Sequence, residues 1–333
     1  MNVELTRQSG TVCVPLTFKK LSPPHNLHNE IRHIGRIQNG SCCSSDTQSS
    51  KKRKCNESTI LVGHQRVREH YERVSPHSNE NRRYFRNRKE YRQCFEMLAH
   101  DTTCRCIVVN ANGKHFSVGL DLTSGGMMSG DGGGDEDRDA ARKGFHLRSH
   151  ILELQDTFTA MERCPQPVIV CTHGAVIGGA IDLCCAADIR MCTKDAWFCI
   201  KEVDIALAAD VGTLQRLHHV MGNMSLAREL AYTARRFESD EAKCAGFVSR
   251  VCESKGEMMR TALDMASKIA SKSPIAIAGT KANLNYSRDH SIKDSLEYIA
   301  TWNSVMLQTN DVMKAAVSSM KKGAGSTPKF SKL

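Results

Sequence analysis

Several things are missing from this 333-residue sequence, and each absence removes a class of protein. No run approaches the roughly eighteen consecutive apolar residues of a membrane-spanning helix. No secretory signal pattern opens the chain as given. Fifteen cysteines are present. None falls in a C-x-x-C pair, and the doublets Cys42-Cys43 and Cys184-Cys185 have no ligand-like spacing. That argues against a zinc ribbon or a disulfide scaffold and for reduced thiols inside a cell. A complete phosphate-cradling P-loop and a dinucleotide fingerprint are both lacking, and no His/Cys cluster has metal-ligand spacing. The expectation is therefore no metal and no redox cofactor.

What remains is ordinary globular material, 40% hydrophobic and 25% charged, with an uneven charge distribution. Residues 1–100 hold 18 Lys/Arg against 9 Asp/Glu, which accounts for nearly all of the net charge of +10. Residues 1–57 mix polar runs with the basic cluster Lys51-Lys52-Arg53-Lys54 and show no sustained periodicity, so a poorly ordered extension is expected there. An RNA-binding role for this basic end is the alternative from a different functional class. Against it, residues 65–92 interleave arginines with acids and offer few stacking rings (Tyr71, Tyr84, Phe85, Tyr91). Nucleic acid is not the expected partner.

From residue 80 on, the texture is that of packed structure. Helical spacing at 80–100 precedes an apolar run, Cys106 to Asn110, that reads as a buried strand ending in a turn. A Gly/Ser/Asp-rich loop at 124–137 leads to helical spacing from Phe145 to Met161. Pro167 to Cys171 is a second buried strand, Ile177 to Ala187 a strand-to-helix transition, and 189–191 and 197–200 suit further strands. Helices are predicted at 213–221, 224–234, 239–246, 256–271, 274–284 and 291–320. Alternating strands and helices followed by helices alone predict an α/β core with a helical C-terminal part.

Two glycine turns and three carboxylates carry the chemistry. Ser117-Val118-Gly119-Leu120-Asp121 follows the first strand, and Gly178-Gly179 follows the second and opens a helix. Glycine permits close approach to the backbone, and N–H groups at a helix start point toward developing negative charge. Two such arms facing each other suit a thioester oxygen becoming an enolate, each donor lowering the barrier by about 3–4 kcal/mol. Asp182 lies one turn into that helix, Glu202 follows the strand at 197–200, and Asp210 sits in Leu207-Ala-Ala-Asp-Val-Gly212. Taken singly, Asp182 reads equally well as a structural hydrogen bonder and Asp210 as the N-cap of a helix at 211–220. Asp188 and Asp195, beside Arg190 and Lys194, look like surface pairs, whereas pattern alone does not exclude Asp204. His173 reads as a structural hydrogen bonder, His218-His219 as surface, and Cys184 and Cys185 as core.

These segments resemble the enoyl-CoA hydratase/isomerase (crotonase) superfamily, and most of all its Δ3,5-Δ2,4-dienoyl-CoA isomerases. The matching stretches run from Gly113 to Leu122 (GKHFSVGLDL), Glu162 to Arg190, Lys201 to Leu217, Ala231 to Arg236 and Ser273 to Ser291. The resemblance implies a crotonase-like spiral of repeated ββα units at 58–272 and a C-terminal helical trimerisation region at 273–333. The assembly it implies is a homotrimer or dimer of trimers. Backbone N–H groups of Leu120 and Gly179 would form the oxyanion hole. Catalytic roles fall on Asp182, Glu202 and Asp210, the last replacing a glycine of the hydratases. Substrate contacts fall on residues 117–121, Gly179 and Lys114.

The implied reaction is isomerisation of 3,5-dienoyl-CoA to 2,4-dienoyl-CoA in fatty-acid β-oxidation, with coenzyme A as part of the substrate; 2-enoyl-CoA hydration is the alternative within the family. The sequence departs from the family pattern at Ala180, in place of a third glycine, where the added methyl is expected to narrow the site. Another departure is the polar stretch 65–92, which stands where the family has its early strand. Ser331-Lys332-Leu333 reads as a peroxisomal (or glycosomal) address for an import receptor.

Overall fold

In the computed structural model, residues 6–8, 11–16, 88–119, 139–320 and 328–333 are described. The basic cluster 51–54, the stretch 65–87, Leu120, Asp121 and the Gly-rich run 124–134 lie outside them. The apolar runs become strands of one sheet: β3 (Cys106–Ala111), β4 (Val168–Thr172), β6 (Ile189–Thr193) and β9 (Arg250–Cys252). All are parallel, and β3 and β4 are buried along their whole length. Parallel sheets need cover on both faces, and alternate residues supply it. Ile107, Val109, Val168 and Val170 join a large core with α1 (Arg88–His100), α2 (Ala140–Arg163) and α3 (Gly179–Ala186). Cys106, Val108, Ile169, Cys171 and Met191 face Met258, Ala262 and Ala266 of α7 (Lys255–Ala270).

A second sheet holds β5 (Ala175–Ile177), β7 (Trp197–Cys199) and β8 (Phe237–Glu238), with Ser117 adding a parallel bridge to Val176. The chain therefore repeats one move. It runs along a strand of the first sheet, turns sharply into a strand of the second, then enters a helix. β4–β5–α3 is one such turn; β6–β7 followed by a 3₁₀ turn at Glu202–Ile205 and α4 (Thr213–Val220) is the next. Phe198, Phe237 and Phe247, all fully buried, close the second sheet with ring centroids 5.2–5.7 Å apart. This is the α/β spiral expected.

Three expectations are modified. Two strands fall inside the expected N-terminal extension: β1 (Thr6–Gln8) and β2 (Thr11–Leu16) extend the first sheet, with β2 parallel to β3 from Thr11↔Cys106 to Leu16↔Ala111. These strands lie well before the polar stretch 65–92. Pro15 weakens the sequence signal, since proline cannot donate to a ladder. It is tolerated because β1 pairs only with residues 11–13 and leaves that end of β2 single-sided. Next, the helix predicted over 291–320 is two, α9 (Ile292–Met306) and α10 (Asn310–Met320). At the break, the Asp311 N–H donates to Thr309 Oγ1, and the Asp311 carboxylate accepts from Ser273, the N-cap of α8 (Pro274–Tyr286). Finally, Asp188 does not pair with Arg190. It accepts from Val168 N–H at 2.7 Å and pairs with the buried Lys281 at 2.8 Å, while Arg190 donates to the carbonyls of Cys184, Ala187 and Phe247.

Lys281 also donates to Met161 O and Gln166 O, and so fastens α8 to the end of α2 and the start of β4. Lys281 is buried but Asp188 is exposed, so Lys281→Met chiefly leaves the carbonyls of Met161 and Gln166 without a donor and should cost about 1–3 kcal/mol in urea unfolding. An unchanged midpoint would show that water replaces the ammonium at those carbonyls.

Candidate functional site

The two glycine turns are adjacent, as arms laced across the gap between the sheets. Phe116 N–H donates to His173 O at 2.8 Å, Ser117 N–H to Ala175 O at 3.0 Å, and Ile177 N–H to Ser117 O at 3.1 Å. Ser117 is buried, Val118 is exposed, and Gly119 turns back with φ +89°, where a side chain would be strained. Lys114 is exposed at the head of this arm.

On the second arm Gly178 is the N-cap of α3 with φ +58°. Its N–H donates to Cys199 O, and Ile181 N–H returns to Gly178 O. Gly179 and Ala180, in the first turn, have no intrahelical acceptor for their N–H groups. The Ala180 side chain is fully buried in the main core, so its methyl packs inward and does not narrow the site.

The carboxylates meet here in three different settings. Asp182 is buried, and its Oδ1 accepts from Thr213 N–H at 2.6 Å and Thr213 Oγ1 at 2.8 Å. Burial pushes its pKa up to about 6, against the pull of the Thr213 bonds and Arg216. Glu202 opens the 3₁₀ turn. Its Oε1 lies 3.4 Å from where a Cβ on Gly178 would sit, and its Oε2 is buried with no hydrogen-bond partner among the described residues. Desolvation, then repulsion from Asp182 and Asp210, raises the Glu202 pKa to about 7. A buried carboxylate oxygen left without a donor is costly, and in a cleft it marks a site kept for a ligand.

Asp210 is exposed rather than enclosed by the apolar residues before it, because Leu207 and Ala208 are themselves at the surface. It is not the N-cap of α4 either. That position belongs to Gly212, which lacks a side-chain cap.

A second layer holds this arrangement, and sequence reading did not single it out. Gln155 of α2 donates to Asp210 O at 2.7 Å. Arg216 of α4 forks onto Glu162 at the end of α2 (3.1 and 2.8 Å) and reaches Thr159 Oγ1 at 3.0 Å. Arg288 joins the same carboxylate, holding Glu162 below its ordinary pKa despite burial. The Arg216 guanidinium lies against the bare Cα of Gly212, whose φ of +135° admits only glycine comfortably. Thr213, Arg216 and Glu162 all lie in the motif-bearing segments, but nothing in their spacing announces contacts 31 to 54 residues long.

The other candidates resolve plainly. His173 is buried and bonds Gly113 O, as expected of a structural histidine. His218 and His219 are exposed, and Cys184 and Cys185 are buried in the core. Asp204 pairs with Lys201 at the surface, Lys194 pairs with Asp240, and Asp195 accepts from Thr193. The described cysteines form no disulfide with one another. Among the described residues no three His, Cys, Asp or Glu side chains converge as a metal site, and no helix is long and apolar enough to cross a membrane. Ser331, Lys332 and Leu333 are exposed, and Arg105 donates to Ser331 O at 2.9 Å.

A carboxyl with a higher pKa folded than unfolded destabilises the fold as pH rises from the ordinary glutamate range through about 7. Glu202→Gln should therefore melt above the wild type at pH 8, with the gain shrinking toward pH 5. Equal melting temperatures at both pH values would show that water reaches Oε2.

Comparison with known proteins agrees with this geometry. The Enoyl-CoA hydratase/isomerase family pattern matches residues 86–323. The chain is 49% identical over 253 residues (76% of each chain) to a mouse protein named Δ3,5-Δ2,4-dienoyl-CoA isomerase, mitochondrial. It is 44% identical over 244 residues (73% of this chain, 86% of the other) to an Arabidopsis thaliana protein named as the peroxisomal form. The crystal structure of an enoyl-CoA hydratase from Bacillus anthracis superposes with a TM-score of 0.62 at 24% identity, covering 73% of this chain and 87% of the other. With a family match over residues 86–323 and 49% identity to the mouse protein over 76% of each chain, the chain belongs to the enoyl-CoA hydratase/isomerase family.

Proposed function

We propose that the chain is a Δ3,5-Δ2,4-dienoyl-CoA isomerase, which moves a proton from C2 to C6 of a 3,5-dienoyl thioester. The observation that carries this reading is the unpartnered Glu202 Oε2, held against Gly178 beside the open first turn of α3. The thioester oxygen sits on Gly179 N–H, with Leu120 N–H as second donor. Glu202, next to the oxyanion donor, is adjacent to C2, and a pKa of about 7 suits it as a base near neutral pH. Removal of the C2 proton sends its electron pair into C1–C2 and charge onto the thioester oxygen, giving an extended dienolate. Asp210, on the loop beyond, delivers a proton to C6. The carbonyl then re-forms, with double bonds at C2–C3 and C4–C5.

Asp182 orients the pair. Its Oδ1 is committed to Thr213, a poor arrangement for holding a water that would add to the chain. Proton transfer between carboxylates on a polarised thioester is complete without a metal or redox cofactor.

Residues 117–121 and Lys114 are the proposed coenzyme A contacts. A homotrimer or dimer of trimers is proposed to cover Ile292, Leu296, Val305, Met313 and Met320 of α9 and α10, which are 63–83% exposed on the single chain. The compartment follows from Ser331-Lys332-Leu333 read as a peroxisomal-type address, or a glycosomal one where that organelle exists. The relatives named above include both mitochondrial and peroxisomal forms.

The purified protein should raise near-ultraviolet absorbance with 3,5-octadienoyl-CoA, as the diene comes into conjugation with the thioester. Asp210→Asn and Glu202→Gln should each lose about a hundredfold or more in kcat, the scale of a positioned acid or base. A fall in absorbance on 2-octenoyl-CoA, with no change on the diene, would assign hydration instead.

A further inference from the structure

His115 has no role in the chemistry just described, yet it lies where the two arms would otherwise lose register. Ser117 pairs with the second arm as a regular parallel bridge, using Ala175 O and Ile177 N–H. Stepping back along such a ladder, Ala175 N–H should meet a backbone carbonyl of the first arm. The register has slipped there, because His173 O is taken by Phe116 rather than by residue 115. Ala175 N–H instead donates to the ring Nδ1 of His115 at 3.1 Å. The ring fits because Gly174, with φ +55°, has no side chain: a Cβ there would lie 2.6 Å from His115 Nδ1. The second arm reciprocates, as His173 Nε2 meets Gly113 O at 3.2 Å.

We infer that His115 is a positioning residue, whose ring nitrogen replaces a missing ladder bond and fixes the arm at 117–119 against the arm that ends at Gly178-Gly179. Ala175 begins the three-residue strand that leads directly into Gly178. A shift there moves Gly179 N–H relative to the first arm, and oxyanion catalysis depends on that placement.

The lock requires an unprotonated Nδ1. The groups facing it favour that state on balance. Lys114 on its own arm and Lys255 at the start of α7 disfavour a charged ring, Asp195 opposes them, and the neighbouring His173 is itself held neutral by burial. Together with desolvation they hold the His115 pKa below its ordinary value. A histidine depressed in the folded state contributes its stabilisation above that pKa and loses it as pH falls.

The inference rests on the isomerase reading only for its kinetic readout, so the test has two arms. Amide hydrogen exchange of residues 174–179 is compared in wild type, His115→Leu and His115→Asn, the last carrying an amide oxygen near the Nδ1 position. Faster exchange in His115→Leu, restored by His115→Asn, is expected; unchanged exchange in His115→Leu overturns the inference whatever the activity. With 3,5-octadienoyl-CoA, His115→Leu should lose roughly tenfold or more in kcat with KM within about threefold. The kcat ratio of His115→Asn to wild type should rise as pH falls below the ordinary histidine range. A flat ratio, or wild-type kcat in His115→Leu, also overturns it. Absence of activity in the wild type would refute the isomerase reading alone and leave the exchange result to stand.

Discussion

A carboxylate oxygen buried without a donor is one of the more costly things a protein can contain, and this fold is arranged around keeping one. Glu202 lies at contact distance from where a Cβ on Gly178 would stand, and burial, with repulsion from Asp182, raises its pKa to about 7. Asp182, buried beside it, adds repulsion and is itself restrained by two bonds from Thr213. The two groups titrate close enough to neutrality that small changes in burial decide which carries a proton. That balance costs stability, as a site able to accept a proton must.

The restraint comes from outside the site. Helix α2 contacts the catalytic loop twice, through Gln155 at the Asp210 carbonyl and through the Glu162–Arg216 fork behind Thr213. Lys281 fixes that same end of the helix, at Met161 O, to α8 and β4. The geometry of Asp182 and Asp210 is thus referred to a rigid element, and the oxyanion arms are referred to each other by the backbone ladder across the gap. In the proposed division of labour Glu202, its Oε2 buried, is the base next to the thioester, and the exposed Asp210 is the acid farther along the acyl chain.

Much of this was legible in the sequence because the signals are local. Long apolar runs such as Cys106–Ala111 and Val168–Thr172 form buried strands for the reason they are apolar, and the glycine turns mark the backbone conformations they adopt. What escaped depends on distant partners. The two- and three-residue strands at Phe237 and Arg250 exist only because β7 and β6 offer them an edge. β2 was hidden by Pro15, and the break at 307–309 by helical spacing on both sides of it. Asp188 stands two residues from Arg190 in sequence, yet Lys281, reached through the fold, is its partner. The three carboxylates were found by pattern; the residues that set their charge were not, since Thr213 and Arg216 look like ordinary first-turn helix residues.

The central claim is a division of labour, with Glu202 at C2 and Asp210 at C6. Its most direct test is to run 3,5-octadienoyl-CoA in deuterium oxide and locate the label in recovered substrate and product for wild type, Glu202→Gln and Asp210→Asn. The account predicts that Asp210→Asn still exchanges the C2 proton of the substrate while losing label at C6, and that Glu202→Gln loses both. Exchange at C2 that survives in Glu202→Gln and vanishes in Asp210→Asn would contradict it.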